Sequence, residues 1–206
     1  YDINSNGDIV GQRRPTKSPL FGFRLEGGVL TTHPWLGSET YAINEAGAAV
    51  GYGSPPTDLH PRAFLWQEEA MLELALPMGP SSTAFDINDQ SQVVGWMGDG
   101  FAPDFPAEAF LWQNGVGVSL GIPEGGLNSE ARTISDTGHV GGQYWIEVGP
   151  GVYARRGFHW RDGVFTDLGA LATLQKTIVR GINNRGAVLT GNVITAPVTP
   201  AIDRGS

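Results

Sequence analysis

The stretch from Ala84 to Ala131 reads A-F-D-I-N-D-Q-S-Q-V-V-G-W over residues 84–96, then, after a loop, E-A-F-L-W-Q-N-G-V-G-V-S-L-G over 108–121 and I-P-E-G-G-L-N-S-E-A over 122–131. The apolar run Ala84 to Asn88 meets the polar turn Asp89-Gln90-Ser91 and returns as Gln92 to Trp96, rich in β-branched residues, which predicts two paired strands. Ala109 to Trp112 predicts a third strand, and Gln113-Asn114-Gly115 is an Asn-Gly hairpin turn into a fourth, Val116 to Leu120. Four strands in under about fifty residues leave no room for a crossover helix, so the unit is one antiparallel sheet.

Working outward, the same unit recurs along the whole chain. Its isoleucine returns as Ile3, Ile43, Ile87, Ile134 and Ile182, at intervals of 40, 44, 47 and 48 residues. Asn4, Asn44, Asn88, Ser135 and Asn183 follow it, and three residues later come Gly7, Gly47, Ser91, Gly138 and Gly186. A side chain able to bond the backbone, followed by a residue free at positive φ, is what a tight turn closing on a left-handed position requires. A second glycine comes four residues on, at Gly11, Gly51, Gly95 and Gly142, with Thr190 in its place in the fifth copy, and predicts close backbone approach.

An aromatic strand recurs as Gly22-Phe23-Arg24-Leu25, Ala63-Phe64-Leu65-Trp66, Ala109-Phe110-Leu111-Trp112 and Gly157-Phe158-His159-Trp160. Phe and Trp two apart share one strand face, and the recurrence marks that face as core between repeats rather than a stacking platform for sugars. The fourth strand is expected to close on Leu36-Gly37, Leu74-Ala75, Leu120-Gly121 and Leu168-Gly169. In the fifth copy Ala201 to Arg204 is expected to supply a third strand, and the fourth is missing.

The composition agrees and excludes several function classes. The 206 residues are 40% hydrophobic and 10% aromatic, enough for a sizeable core. The 30 glycines and 14 prolines fit many short strands and turns better than helices. A formal charge of −8 argues against a nucleic-acid partner, since phosphate binding relies on clustered cations, and Arg13-Arg14 and Arg155-Arg156 read as solvated loop charges. Having no cysteine, the chain lacks disulfides, thiolate metal sites and a cysteine nucleophile. No run is apolar enough for membrane insertion as a spanning helix. The chain opens at Tyr1 without methionine or a charged-then-apolar leader, so the expectation is a processed chain or a piece of a longer one.

Four-stranded repeats of roughly 40 to 50 residues match the blades of a β-propeller. The expected fold is all-β: a five-bladed β-propeller of four-stranded antiparallel blades, the last three-stranded, with blades over about 1–38, 39–80, 81–125, 126–173 and 174–206 of a single repeat domain. A flat solenoid is the competing arrangement. Residues 1 to about 204 resemble the HAF family of extracellular repeats. The resemblance is carried by D-I-N-S-N-G-D-I-V-G, A-I-N-E-A-G-A-A-V-G, D-I-N-D-Q-S-Q-V-V-G, two A-F-L-W strands and T-D-L-G. The namesake His-Ala-Phe stands here as Arg62-Ala63-Phe64, Glu108-Ala109-Phe110 and Arg156-Gly157-Phe158. The resemblance implies an exported bacterial protein, extracellular, periplasmic or at the cell surface, and implies no activity.

Alternating strand direction puts the loops between second and third strands at the same end as the connectors between repeats. Gln12–Pro19, Tyr52–Pro61, Trp96–Pro106 and Gln143–Arg155 are therefore the candidate binding loops. They carry Tyr52, His60, Trp96, Phe101, Phe105, Tyr144, Trp145 and Tyr153, large contact surfaces of low entropic cost. The leading expectation is a non-enzymatic module binding a glycan or protein surface through them. A glycoside hydrolase or lyase would draw on Asp99, Asp104 and Glu147, with Asp58 and Glu108 in the same loops, because that chemistry needs two carboxylates at a set separation. His33, His60, His139 and His159 form no His-x-x-x-His pair, and no Gly-x-Ser-x-Gly is present.

No cofactor is called for. Asp2, Asn4, Asn6 and Asp8 open like a calcium loop, but Arg13 stands where the closing bidentate Glu belongs, which favours a plain hairpin turn over Ca²⁺. A third expectation is self-association through the unpaired edge of the last blade, as a structural or self-assembling surface protein.

Overall fold

The computed structural model describes residues 1–14, 16, 19–100, 102–169, 177–191 and 193–194. Among these residues there is no helix, and hence none long and apolar enough to cross a membrane. The strands fall into five antiparallel sheets, each a simple meander. Sheet one is β1 (Asp2–Ile3), β2 (Ile9–Arg13), β3 (Phe21–Glu26) and β4 (Val29–Thr32); sheet two is β5 (Leu36–Ile43), β6 (Ala49–Ser54), β7 (Arg62–Gln67) and β8 (Ala70–Glu73). Sheet three is β9 (Ser81–Ile87), β10 (Val93–Gly98), β11 (Ala107–Gln113) and β12 (Val116–Gly121). Sheet four is β13 (Asn128–Ile134), β14 (Val140–Gly149), β15 (Val152–Arg161) and β16 (Val164–Asp167). Sheet five has three described strands, β17 (Val179–Ile182), β18 (Val188–Thr190) and β19 (Val193–Ile194).

The repeated turn joins the first two strands as its residues dictate. In sheet one Asn4 Oδ1 accepts the backbone amides of Asn6 (3.1 Å) and Asp8 (2.9 Å), while Gly7 N donates to the Asn4 carbonyl (3.1 Å). The turn then needs a left-handed residue, and Gly7, Gly47, Ser91, Gly138 and Gly186 supply it at φ of 84°, 79°, 56°, 79° and 76°. The predicted Asn114-Gly115 hairpin forms with both residues at positive φ, 52° and 85°.

Sheets pack face to face with their neighbours in the chain, and the recurring residues form the junctions. Val10 of sheet one packs with Ile43, Ala49, Phe64 and Trp66 of sheet two. Val50 repeats this beneath Ile87, Val93, Phe110 and Trp112, and Val94 beneath Ile134, Val140 and Phe158. Phe64, Phe110 and Phe158 are fully buried, so the aromatic stripe is core, each ring contributing roughly 1.5–3 kcal/mol.

Each sheet thus has a leading face, toward the preceding sheet, and a trailing face, toward the next. Among the described residues, the outermost faces of the series are left more exposed than the internal ones. On the leading face of sheet one Ile3 is 61% exposed, where Ile43, Ile87 and Ile134 are at 5–6%. On the trailing face of sheet five Leu189 is 38% exposed, where Val10, Val50 and Val94 are at 0%.

Three expectations need correction. Leu36-Gly37 does not end a fourth strand: β4 stops at Thr32, and Leu36 opens the first strand of the next sheet. Residues 143–155 are not a long loop but a hairpin of two ten-residue strands turning over at Pro150-Gly151, because backbone pairing continues from Gln143–Gly157 out to Gly149–Val152. In sheet five the third strand is Val193–Ile194, paired with Leu189 and Thr190, while the expected strand at 201–204 lies outside the described residues.

Candidate functional site

The first strands lie side by side across the series, β5 against β1, β9 against β5, β13 against β9 and β17 against β13. Within this row the same repeat position drops out of the pairing register in sheets two to five. Thr40 pairs with Gly51 and Ala42 with Val50, leaving Tyr41 bulged; Phe85, Arg132 and Arg180 are bulged in the same way in sheets three, four and five. A bulge kinks the strand and re-aims the side chain it carries.

The second recurring glycine lies opposite the same segment. A Cβ on Gly51, Gly95 or Gly142 would overlap the carbonyl of Glu39, Thr83 or Glu130, two residues before the bulged side chain. These glycines are required by approach of the paired strand within the sheet.

The bulged side chains form a contiguous line. The Tyr41 and Phe85 rings lie 5.5 Å apart, and the Arg132 guanidinium sits 3.9 Å from the centroid of Phe85. Tyr52 flanks Tyr41 at 5.9 Å and donates from its hydroxyl to Glu39 Oε1 at 3.0 Å. Burial, and then the Glu39 charge, pushes Tyr41 well above the ordinary phenol range and Tyr52 up to about 12, so both are neutral donors.

At the Arg132 end, Glu130 is buried and accepts from Arg132 Nε (2.7 Å) and from the Gln143 amide. Burial raises its carboxyl, opposed chiefly by the Arg132 charge. Beside it the Arg155 guanidinium lies 4.5 Å over Trp145, whose indole Nε1 is buried with no hydrogen-bond partner among the described residues, as are Gln143 Oε1 and Asn128 Oδ1. The line thus runs from neutral hydroxyls through an aromatic face to cationic and amide groups.

The expected site residues separate on this geometry. Tyr52 and Trp145 join the line, each from a strand rather than a loop. Trp96 is half-buried in β10. Tyr144 is a correction: it is 3% exposed, packed in the core between sheets three and four, and burial followed by the Asp167 charge raises it to about 12. Strand alternation turns it away from Trp145. Tyr153, 36% exposed, lies on β15 near the hairpin tip, and Phe105, 51% exposed, lies in the loop after β10. Phe101 lies outside the described residues.

His60 is exposed and bonded to Asp58 (2.7 Å), which also pairs with Arg62 (2.6 Å). The His60 amide, the Arg62 guanidinium and the His60 ring together hold the Asp58 carboxyl well below the usual range. Asp99 and Asp104 lie exposed in one loop and Glu147 on the β14–β15 hairpin, where it accepts from Gly151 N at 2.9 Å. Among the described residues no hydrogen bond links these three acids.

In the calcium-like segment the polar atoms are engaged within the protein. Asp2 accepts from Ile3 (2.9 Å) and Ile43 (3.1 Å), and Asn4 bonds Asp8 through its amide (3.0 Å). Among the described residues no three His, Asp or Glu side chains gather where they could hold a metal ion.

Two grooves open at the opposite end, where the tight turns lie. One of about 760 Å³, between sheets one and two, is lined by Arg24, Glu26, Trp66, Glu68 and Glu69, with Arg24 5.2 Å over the Trp66 ring. Another of about 330 Å³, between sheets three and four, is lined by Gln92, Gln113, Asp136 and Trp160 among others.

The sequence signal for the bulged line is the position two before each repeating isoleucine, occupied by Tyr1, Tyr41, Phe85, Arg132 and Arg180. Comparison with protein-family models gave no match, and comparison with curated proteins gave none either.

Proposed function

We propose that the chain is a non-enzymatic binding module of propeller-like build, its five blades standing in an open arc about a common axis with their first strands innermost, and that it holds a glycan along the bulged line. The observation that carries this reading is the repeated bulge, which places Tyr41, Phe85 and Arg132 in unbroken contact across three sheets. Extended saccharides offer apolar ring faces to aromatic side chains and hydroxyls to charged and amide groups. The line supplies both, with Tyr52, Glu39, Gln143 and Trp145 on its flank. A row that advances by one side chain per repeat suits a polymer of repeating units better than a compact ligand.

Export to the cell surface or beyond is part of the proposal and rests on the HAF-like motifs. The test is calorimetric titration with neutral and acidic oligosaccharides, comparing the parent chain with Phe85→Ala and Tyr41→Ala variants whose circular dichroism is unchanged. Binding that weakens at least tenfold in both variants is expected. Absence of binding across the panel, or binding indifferent to both changes, refutes it.

A further inference from the structure

The four junctions between sheets share one chemical seam as well as one apolar core. Asn4 Nδ2 donates to the Asn44 carbonyl (3.2 Å), Asn44 Nδ2 to that of Asn88 (3.2 Å), and Asn88 Nδ2 to that of Ser135 (3.0 Å). At the fourth junction, where Ser135 has no amide, Thr137 Oγ1 donates to the Asn184 carbonyl instead (2.8 Å). One residue on, each turn's amide is received by the next turn's side chain: Ser5 N by Glu45 (3.0 Å), Glu45 N by Asp89 (3.0 Å), Asp89 N by Asp136 (3.1 Å) and Asp136 N by Asn184 Oδ1 (2.9 Å).

Both ends of the molecule present the unmatched halves of this seam. Asn183 is exposed where Asn4, Asn44 and Asn88 are buried, and among the described residues its Nδ2 makes none of the hydrogen bonds found at the internal junctions. At the other end the Asn4 carbonyl receives, among the described residues, the Gly7 amide alone, whereas the Asn44 carbonyl receives both Gly47 N and a neighbouring asparagine. The apolar halves are equally complementary: Leu189 stands where Val10, Val50 and Val94 lie buried, and Ile3, Ile9, Phe23 and Leu25 stand where the residues that cover those valines lie.

We propose that the trailing face of sheet five in one copy of this chain docks on the leading face of sheet one in a second copy, head to tail, continuing the internal junction. Leu189 enters between Ile3 and Phe23 of the next copy, Asn183 Nδ2 donates to its Asn4 carbonyl, and Asn184 N donates to its Ser5 hydroxyl. The contact joins two different surfaces, so it propagates until a ring closes or a filament grows. It uses sheet faces, and is distinct from strand addition at the edge of the last sheet and from any ligand on the bulged line.

The test is sedimentation velocity across a concentration series of the parent chain, an Ile3→Glu variant and a Leu189→Glu variant. Both positions are solvent-exposed in the single copy, so each variant folds, as circular dichroism will verify. The parent is expected to grow from monomer to multiples of it, and each variant alone to stay monomeric. An equimolar mixture of the two variants keeps one intact face from each and is expected to form dimers and nothing larger. A parent that stays monomeric throughout overturns the proposal, whether flanking chain or nothing covers the faces. Variants that associate like the parent overturn it too, and point to edge pairing.

Discussion

Replacing Asn88 with alanine removes a fully engaged side chain of the seam, and its cost follows from its bonds. Its Oδ1 accepts the amides of Gln90 (3.1 Å) and Gln92 (2.9 Å), and its Nδ2 donates to the Gln92 side chain (2.8 Å) and across the junction to Ser135 (3.0 Å). At 4% exposure, water does not replace these bonds fully. Two amide bonds and the seam bond at about 1 kcal/mol each give a loss of about 3 kcal/mol, with the half-exposed Gln92 contact adding little. In a chain of this size that is a fall of about 6–12 °C in midpoint temperature.

Two companions make the reasoning refutable. Asn88→Ser keeps an acceptor like that of Ser135, which receives His139 N at 3.1 Å, and should lose about 1–2 kcal/mol. Asn183→Ala removes the same turn bonds, to Arg185 and Ala187 (both 3.0 Å), at an exposed site on the last described sheet, and should lose about 1 kcal/mol. Equilibrium urea unfolding followed by tryptophan fluorescence gives the three values. Equal losses for Asn88→Ala and Asn183→Ala would show that the junction contributes nothing and that the turn alone accounts for the asparagine.

Gly95→Ala puts a Cβ into the Thr83 carbonyl, so the bulge that presents Phe85 must rearrange; a loss of about 3 kcal/mol together with weakened saccharide binding is expected, and unchanged binding would separate the bulge from the site. Phe110→Ala, in a fully closed junction, should cost about 3–5 kcal/mol, while Phe23→Ala on the uncovered leading face should cost about half as much in dilute solution. The pH response has two opposing parts. Burial raises the Asp86 carboxyl to about 6, so the folded state takes up a proton first and Asp86 stabilises it as pH falls from about 6 to 4, by at most about 3 kcal/mol before solvent screening. Burial lowers His33 to about 3, so its contribution is complete above pH 6.5 and is lost as pH falls through that range. Asp86→Asn should make unfolding between pH 6 and 4 more acid-sensitive and His33→Phe less so, measured as midpoint temperature against pH.

Local rules of turn and strand suffice for the sheets. Ile-Asn-x-x-Gly names a turn because a bonding side chain and a left-handed residue are local needs, and the Phe-x-Trp strand names a buried face because alternation puts both rings on one side. Such rules act within about ten residues, so spacing alone was enough for the four-stranded units and for the aromatic core. The same locality misplaced Tyr144, since whether a strand ends at Gln143 or runs on to Gly149 depends on pairing with β15, which composition does not encode.

Only the tertiary structure decided which residues meet. Tyr41, Phe85 and Arg132 are more than forty residues apart in sequence, and each looks like an ordinary strand residue until a bulge in register with its neighbours brings the three into contact. Gly51, Gly95 and Gly142 read as strand defects until the carbonyl opposite each is seen. The uncovered end faces are likewise invisible in the sequence: Ile3 and Ile43 are the same residue in the same motif, and what separates 61% exposure from 5% is whether another sheet stands in front.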